Sequence, residues 1–111
     1  MTVSLDPGAR LTWSEAPGPN GAHELFLDGA ARVEALSAGV GRYIVTTPSS
    51  RLNLHGASVR IDATDPVVTR IEVARGRVVV EGRSSTNHPL LELNTGEVGM
   101  SFHDQQPRIV R

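Results

Sequence analysis

A hydrophobic period of two runs through this chain almost from end to end. Leu11 and Trp13, Leu25 and Leu27, Leu52 and Leu54, and Val59 and Ile61 each bracket one polar or mismatched residue. Val3 and Leu5, then Thr69, Ile71 and Val73, then Val78 and Val80, and finally Val98, Met100 and Phe102 do the same. Successive side chains of a strand point to opposite faces, so this alternation places one face in a core and the other in water. Arg60, Arg70, Glu72 and Glu81 stand in the opposite phase. No stretch of helical length carries a period of about 3.6. The one helix-permitting segment, Gly29 to Leu36, is short and runs into Gly39 and Gly41. The pattern predicts an all-β protein.

Turn residues divide the pattern. Breaks fall at Asp6-Pro7-Gly8, Ala16 through Gly21, Pro48-Ser49-Ser50, Asp65-Pro66, Arg75-Gly76 and Ser84 through Pro89. With 111 residues and no shift of composition, the chain reads as a single β domain over residues 1–111. The spacing predicts about ten to twelve short, mostly antiparallel strands in stacked sheets, a sandwich or a solenoid-like winding. The expected core contains Leu5, Leu11, Leu27, Val45, Leu54, Val59, Ile61, Ile71, Val73, Val78, Val80, Leu93, Val98 and Met100. Trp13, in phase with Leu11, is expected beside them.

A weak internal repeat accompanies the alternation. Leu27 to Val33, Val73 to Val78 and Leu93 to Val98 each place a Gly between apolar strand positions, and Leu54 to Val59 is a shorter echo. Stacked β layers are written this way, and so is ordinary hairpin grammar. Gly29, Gly56, Gly76 and Gly96 are expected at turns or bends, with φ > 0 at one or more of them. Their role is structural; none is assigned a ligand.

Composition removes several function classes. There is no Cys, hence no disulfide framework, thiolate metal site or thiol nucleophile. All 11 basic residues are Arg, which excludes Schiff-base chemistry and a phosphate-loop lysine. Those Arg residues are spread from Arg10 to Arg111 against 12 acidic ones, so no stripe suited to nucleic acid exists. No apolar run approaches the roughly 20 residues of a membrane span.

Sites of chemistry are equally absent from the pattern. His23, His55, His88 and His103 lie on separate segments without metal-ligand spacing, and His103-Asp104, adjacent on a strand, would face opposite ways. Ser49 or Ser50 with His55 and Asp62 lacks a nucleophile elbow. Glu24, Asp28, Glu34, Glu72, Glu81, Glu92 and Glu97 mostly alternate with apolar residues, as on a solvated sheet face. Gly39-Val40-Gly41 has no following Lys. With Trp13, Phe26, Tyr43 and Phe102 as the aromatics, a stacking platform is thin. No catalytic residue, cofactor or metal is expected.

Several segments, taken in order, carry a family likeness. Arg42 to Pro48 is an aromatic followed by a β-branched strand ending in Thr-Pro; Leu52 to Ile61 follows with an apolar-Gly-small-strand pattern. Thr2 to Leu11, Leu27 to Glu34, Glu72 to Val80 and Leu93 to Glu97 flank them. Together these resemble the FecR domain over nearly the whole chain. Gly56-Ala57 stands where the family has Gly-Thr, and Gly29-Ala30-Ala31 where it has Gly-Glu-Ala. The resemblance implies a non-enzymatic signalling module outside the cytoplasmic membrane of a bacterium. In that family the partner is the signalling domain of an outer-membrane transporter, and the signal reaches a sigma-factor regulator. Exposed strand edges suit such a protein partner, and would also permit a homo-oligomer at a net charge of −1. A carbohydrate- or polymer-binding β module of a larger protein is the rival expectation.

Overall fold

The computed structural model describes residues 2–13, 22–35, 42–82, 90–102 and 108–110. The expected loops over Ala16–Gly21 and Ser84–Pro89 lie outside the described residues, as do His88, His103 and the side chain of Trp13. Within them the strands are β1 (Thr2–Leu5), β2 (Arg10–Trp13), β3 (Ala22–Ala35), β4 (Arg42–Thr46), β5 (Ser50–Ala63), β6 (Val68–Gly82), β7 (Leu90–Asn94), β8 (Val98–Phe102) and β9 (Arg108–Ile109). All pairings are antiparallel except β3 with β4. The all-β expectation holds, in one continuous mixed sheet.

The count of strands differs from the sequence expectation because β3, β5 and β6, of 14, 14 and 15 residues, run on through the turn or bend positions at Gly29 and Gly56 and the break at Arg75-Gly76. Extended, β6 would span about 50 Å at roughly 3.3 Å per residue, yet the molecule measures 31 × 31 × 26 Å. The long strands must bend. Connectivity requires the same. Ala22 pairs with Arg42, and seven peptide links from Ala35 to Arg42 reach at most about 25 Å. The two ends of β3 therefore approach each other, and the sheet is folded over on itself.

The fold line is marked by glycines. Gly8, Gly29, Gly56, Gly76 and Gly96 all have positive φ. Gly29, Gly56 and Gly76 sit at the bends of β3, β5 and β6. Gly8 and Gly96 sit in the turns that break β1–β2 and β7–β8, where those strands cross the same line beside β3 and β6. The weak repeat in the sequence is thus one strand after another crossing one corner. At the corner β5 carries a bulge: His55 pairs with Arg77 and Ser58 with Arg75, so Gly56 and Ala57 together oppose Gly76. A Cβ on Gly76 would overlap the Gly56 carbonyl oxygen and lie 2.8 Å from Ala57 Cα. Only glycine allows that approach.

The bulge shifts phase. Leu52 and Leu54 face inward before it and Ala57, Val59 and Ile61 after it; on β6, Ile71 and Val73 precede the shift and Val78 and Val80 follow. Residues from both layers form one buried cluster. The upper layer runs β2-β3-β4-β5-β6-β7 and the lower β1-β3-β5-β6-β8-β9. β4 wedges β3 and β5 apart in the upper layer only.

Three expected core positions need correction. Leu5 is 44% exposed, because edge strand β1 has no outer neighbour among the described residues to cover it. Leu11 packs only partly against the core. Met100 faces away from it: Ile71, which points inward, is paired with Gly99, and Arg70 is paired with Met100. Val98, paired with Glu72, is buried as expected, at 6% exposure.

Candidate interaction surface

The turn expected at Pro48-Ser49-Ser50 closes through the Thr47 amide, which donates to the Ser50 carbonyl at 2.8 Å. Its hydroxyls turn inward. Thr47 Oγ1 lies 3.0 Å from Ser50 Oγ and 2.9 Å from Thr69 Oγ1, and Thr69 also bonds Ser49 Oγ. Buried hydroxyls need partners of this kind. Ser101 Oγ, on the residue paired with Thr69, is buried without a hydrogen bond. The phase of Thr69, in step with Ile71 and Val73, already pointed inward in the sequence. Ser49 and Ser50 are therefore closed off as nucleophiles. Ser50, His55 and Asp62 lie at the start, the corner and the far end of one strand, β5, and are not brought together.

The four glycines singled out in the sequence have φ of 105° at Gly29, 55° at Gly56, 87° at Gly76 and 86° at Gly96. Gly76 N–H donates to Thr95 Oγ1 at 3.0 Å, and Gly96 N–H to the Val73 carbonyl at 2.8 Å, tying the β7–β8 turn to the corner of β6. No group of three or more metal-ligating side chains occurs among the described residues.

Of the acidic residues expected on a solvated face, Glu24, Glu72 and Glu92 stand in ion pairs, and Asp6 adds a fourth pair. Arg51 contacts Glu24 at 2.9 Å, Arg60 contacts Asp6 at 2.7 Å, Arg70 contacts Glu72 at 3.3 Å and Arg77 contacts Glu92 at 3.2 Å. Each is half exposed, so water screening leaves them little energy. The hydrogen bond from Arg60 to Asp6 raises the guanidinium pKa further above its ordinary value. Asp62 is held below the usual carboxylate range, first by hydrogen bonding to Thr64; the Thr64 amide donates to Asp62 Oδ1 at 3.1 Å.

Two accessible surfaces lie on the upper layer and along the sheet edges. On the outer face of the upper layer, Phe26 is 45% exposed, flanked by its register partners Thr12 and Thr46. It lines a groove of about 340 Å³ with Arg10, Asp28 and Pro48. Its place between the inward Leu25 and Leu27 made this exposure readable. The other surface is backbone: β1, β2, β7 and β9 each have one partner among the described strands. Which strands become edges depends on pairing, so nothing in the local pattern announced them.

This folded all-β sheet is shared with solved proteins. Two crystal structures of a candidate anti-sigma factor from Parabacteroides distasonis match it with a TM-score of 0.76, at 18% and 17% identity. They cover 97% of this chain, which spans about half the length of that protein, 49% and 48% respectively. Identity at this level speaks to the fold alone. No protein-family profile matches the chain, and no curated protein does so.

Proposed function

We propose that the chain is a non-enzymatic signalling module of FecR type, acting outside the cytoplasmic membrane by holding a protein partner through a strand edge. The supporting observation is the open edge of β7. Leu90 to Asn94 carry no Pro or Lys, two usual devices that protect an edge, and a single charge at Glu92. Leu93 anchors the strand in the core, and Glu92 is tied to Arg77 on the neighbouring strand. The strand is thus paired with β6 on one side, with its other row of backbone groups unmatched by any described strand, a template for an added strand. The likeness to a candidate anti-sigma factor supports a regulatory setting, and the FecR resemblance suggests a transporter's signalling domain as the added partner.

The test is calorimetric titration with such a signalling domain, combined with amide hydrogen exchange and a glycan array. Binding should slow exchange at residues 90–94. A saccharide bound around Phe26, with no response to the transporter domain, would replace this reading by that of a carbohydrate-binding module.

A further inference from the structure

Strand β8 is built inside out. Its small residues, Gly99 and Ser101, point into the core, where a Cβ on Gly99 would meet the Leu93 side chain at 2.7 Å. Met100 and Phe102 consequently lie half-buried on the outer face of the lower layer, while Val98, in the same phase, is buried at 6% exposure. Val68 pairs with Phe102 there, and Val110, 45% exposed, bonds to the Val98 carbonyl through its amide at 2.8 Å. A groove of about 630 Å³ opens over Val68, Met100 and Pro66, bordered by Asp62, Asp65 and Arg70. Apolar side chains grouped on a solvent face mark an interaction surface.

The register arranges this face so that it matches itself. One row across the sheet reads Asp62, Arg70, Met100, Arg108 on β5, β6, β8 and β9. The neighbouring row contains Val68 beside Phe102. Consider a two-fold axis parallel to β6 and β8 and lying between them. It sets Val68 against Phe102 of the second copy, the Arg70 stem against Met100, and Asp62 against Arg108. Val68 thus meets an apolar partner, and the Asp62 carboxylate meets a guanidinium. Arg108 is already held over this face by stacking on Phe102, 5.0 Å from the ring centre.

We propose that this face docks a second copy of the chain, forming an isologous dimer in which two lower layers pack about 10 Å apart as aligned sheets. A net charge of −1 opposes such association little. The surface is distinct from the β7 edge, which remains open in the dimer.

Sedimentation equilibrium of the intact chain over about 1 μM to 1 mM spans the range of small interfaces. The mass should rise from 11.9 kDa toward twice that value. Asp62→Arg alone and Arg108→Asp alone each set like charges face to face and should weaken association at least about tenfold. Mixed in equal amounts, the two variants regain opposite charges at both contacts and should associate to within about threefold of the parent. Circular dichroism melts of each variant establish that it is folded. A parent that stays monomeric throughout, or single variants that dimerise as well as the parent, or folded variants that fail to rescue each other, would overturn the proposal.

Discussion

At Gly76 a side chain would face two obstacles at once, a φ of 87° and the backbone of Gly56 and Ala57. Gly76→Val should cost about 3 kcal/mol or more in urea unfolding, combining backbone strain with overlap. Gly96 has the same φ but open space around it, and asparagine tolerates that conformation, so Gly96→Asn should cost under about 1 kcal/mol. Equal losses at the two sites would refute the corner as described. The buried hydroxyls divide in the same way. Ser101 Oγ makes no bond, so Ser101→Ala should be neutral or stabilising by up to about 1 kcal/mol. Thr69→Ala removes a hydrogen-bond partner of Ser49 and one of several of Thr47, and should destabilise by about 1–3 kcal/mol. Asp62 supplies a pH dependence. Its folded pKa is depressed by the hydrogen bonds from Thr64, so near that pKa the unfolded chain binds more protons than the native one. The stability it contributes is present above about pH 4 and is lost on acidification. Asp62→Asn should flatten that part of a stability–pH curve, and an unchanged curve would remove Asp62 from the account.

The strands themselves show what a period of two can and cannot say. It located Leu25–Leu27, Leu52–Leu54, Val59–Ile61, Ile71–Val73 and Val78–Val80 as inward pairs, and all are buried. It could not say that Leu54 and Val59 belong to one strand, because the bulge at Gly56 resets the phase and looks like a break in the sequence. In β8 it found the alternation but not the inward face at Gly99 and Ser101: apolar residues went inward by default, while the space beside Leu93 admits only Gly99, and Ser101 pairs with the buried Thr69. Smallness at the alternate positions was the available signal. The inversion has a measurable consequence in dilute protein. Met100→Ser should change stability by less than about 0.5 kcal/mol, as at an ordinary surface position. Leu93→Ala, in the core, should cost about 2–5 kcal/mol. Thermal melts giving the reverse order would show that β8 had been placed the wrong way round.

In the molecule as a whole, fold class was legible because alternation is local, while the folded sheet was not, because it depends on pairings such as β1 with β3 and β3 with β5 across long stretches of chain. Such non-local pairing predicts folding in roughly milliseconds to seconds, where a helical protein of this size would take microseconds to milliseconds. One core shared by both layers predicts a single unfolding transition seen identically by far-ultraviolet dichroism and tryptophan fluorescence. Two separated transitions would divide the chain into independent units. The corner also has a mechanical meaning. Since β3, β5 and β6 pass unbroken from one layer to the other, a tug on the β7 edge is carried by covalent backbone around the bend to β8, without relying on friction between side chains. The two layers behave as one hinged leaf whose hinge is locked by the contact of Gly76 with Gly56, and load placed on either leaf is borne by both.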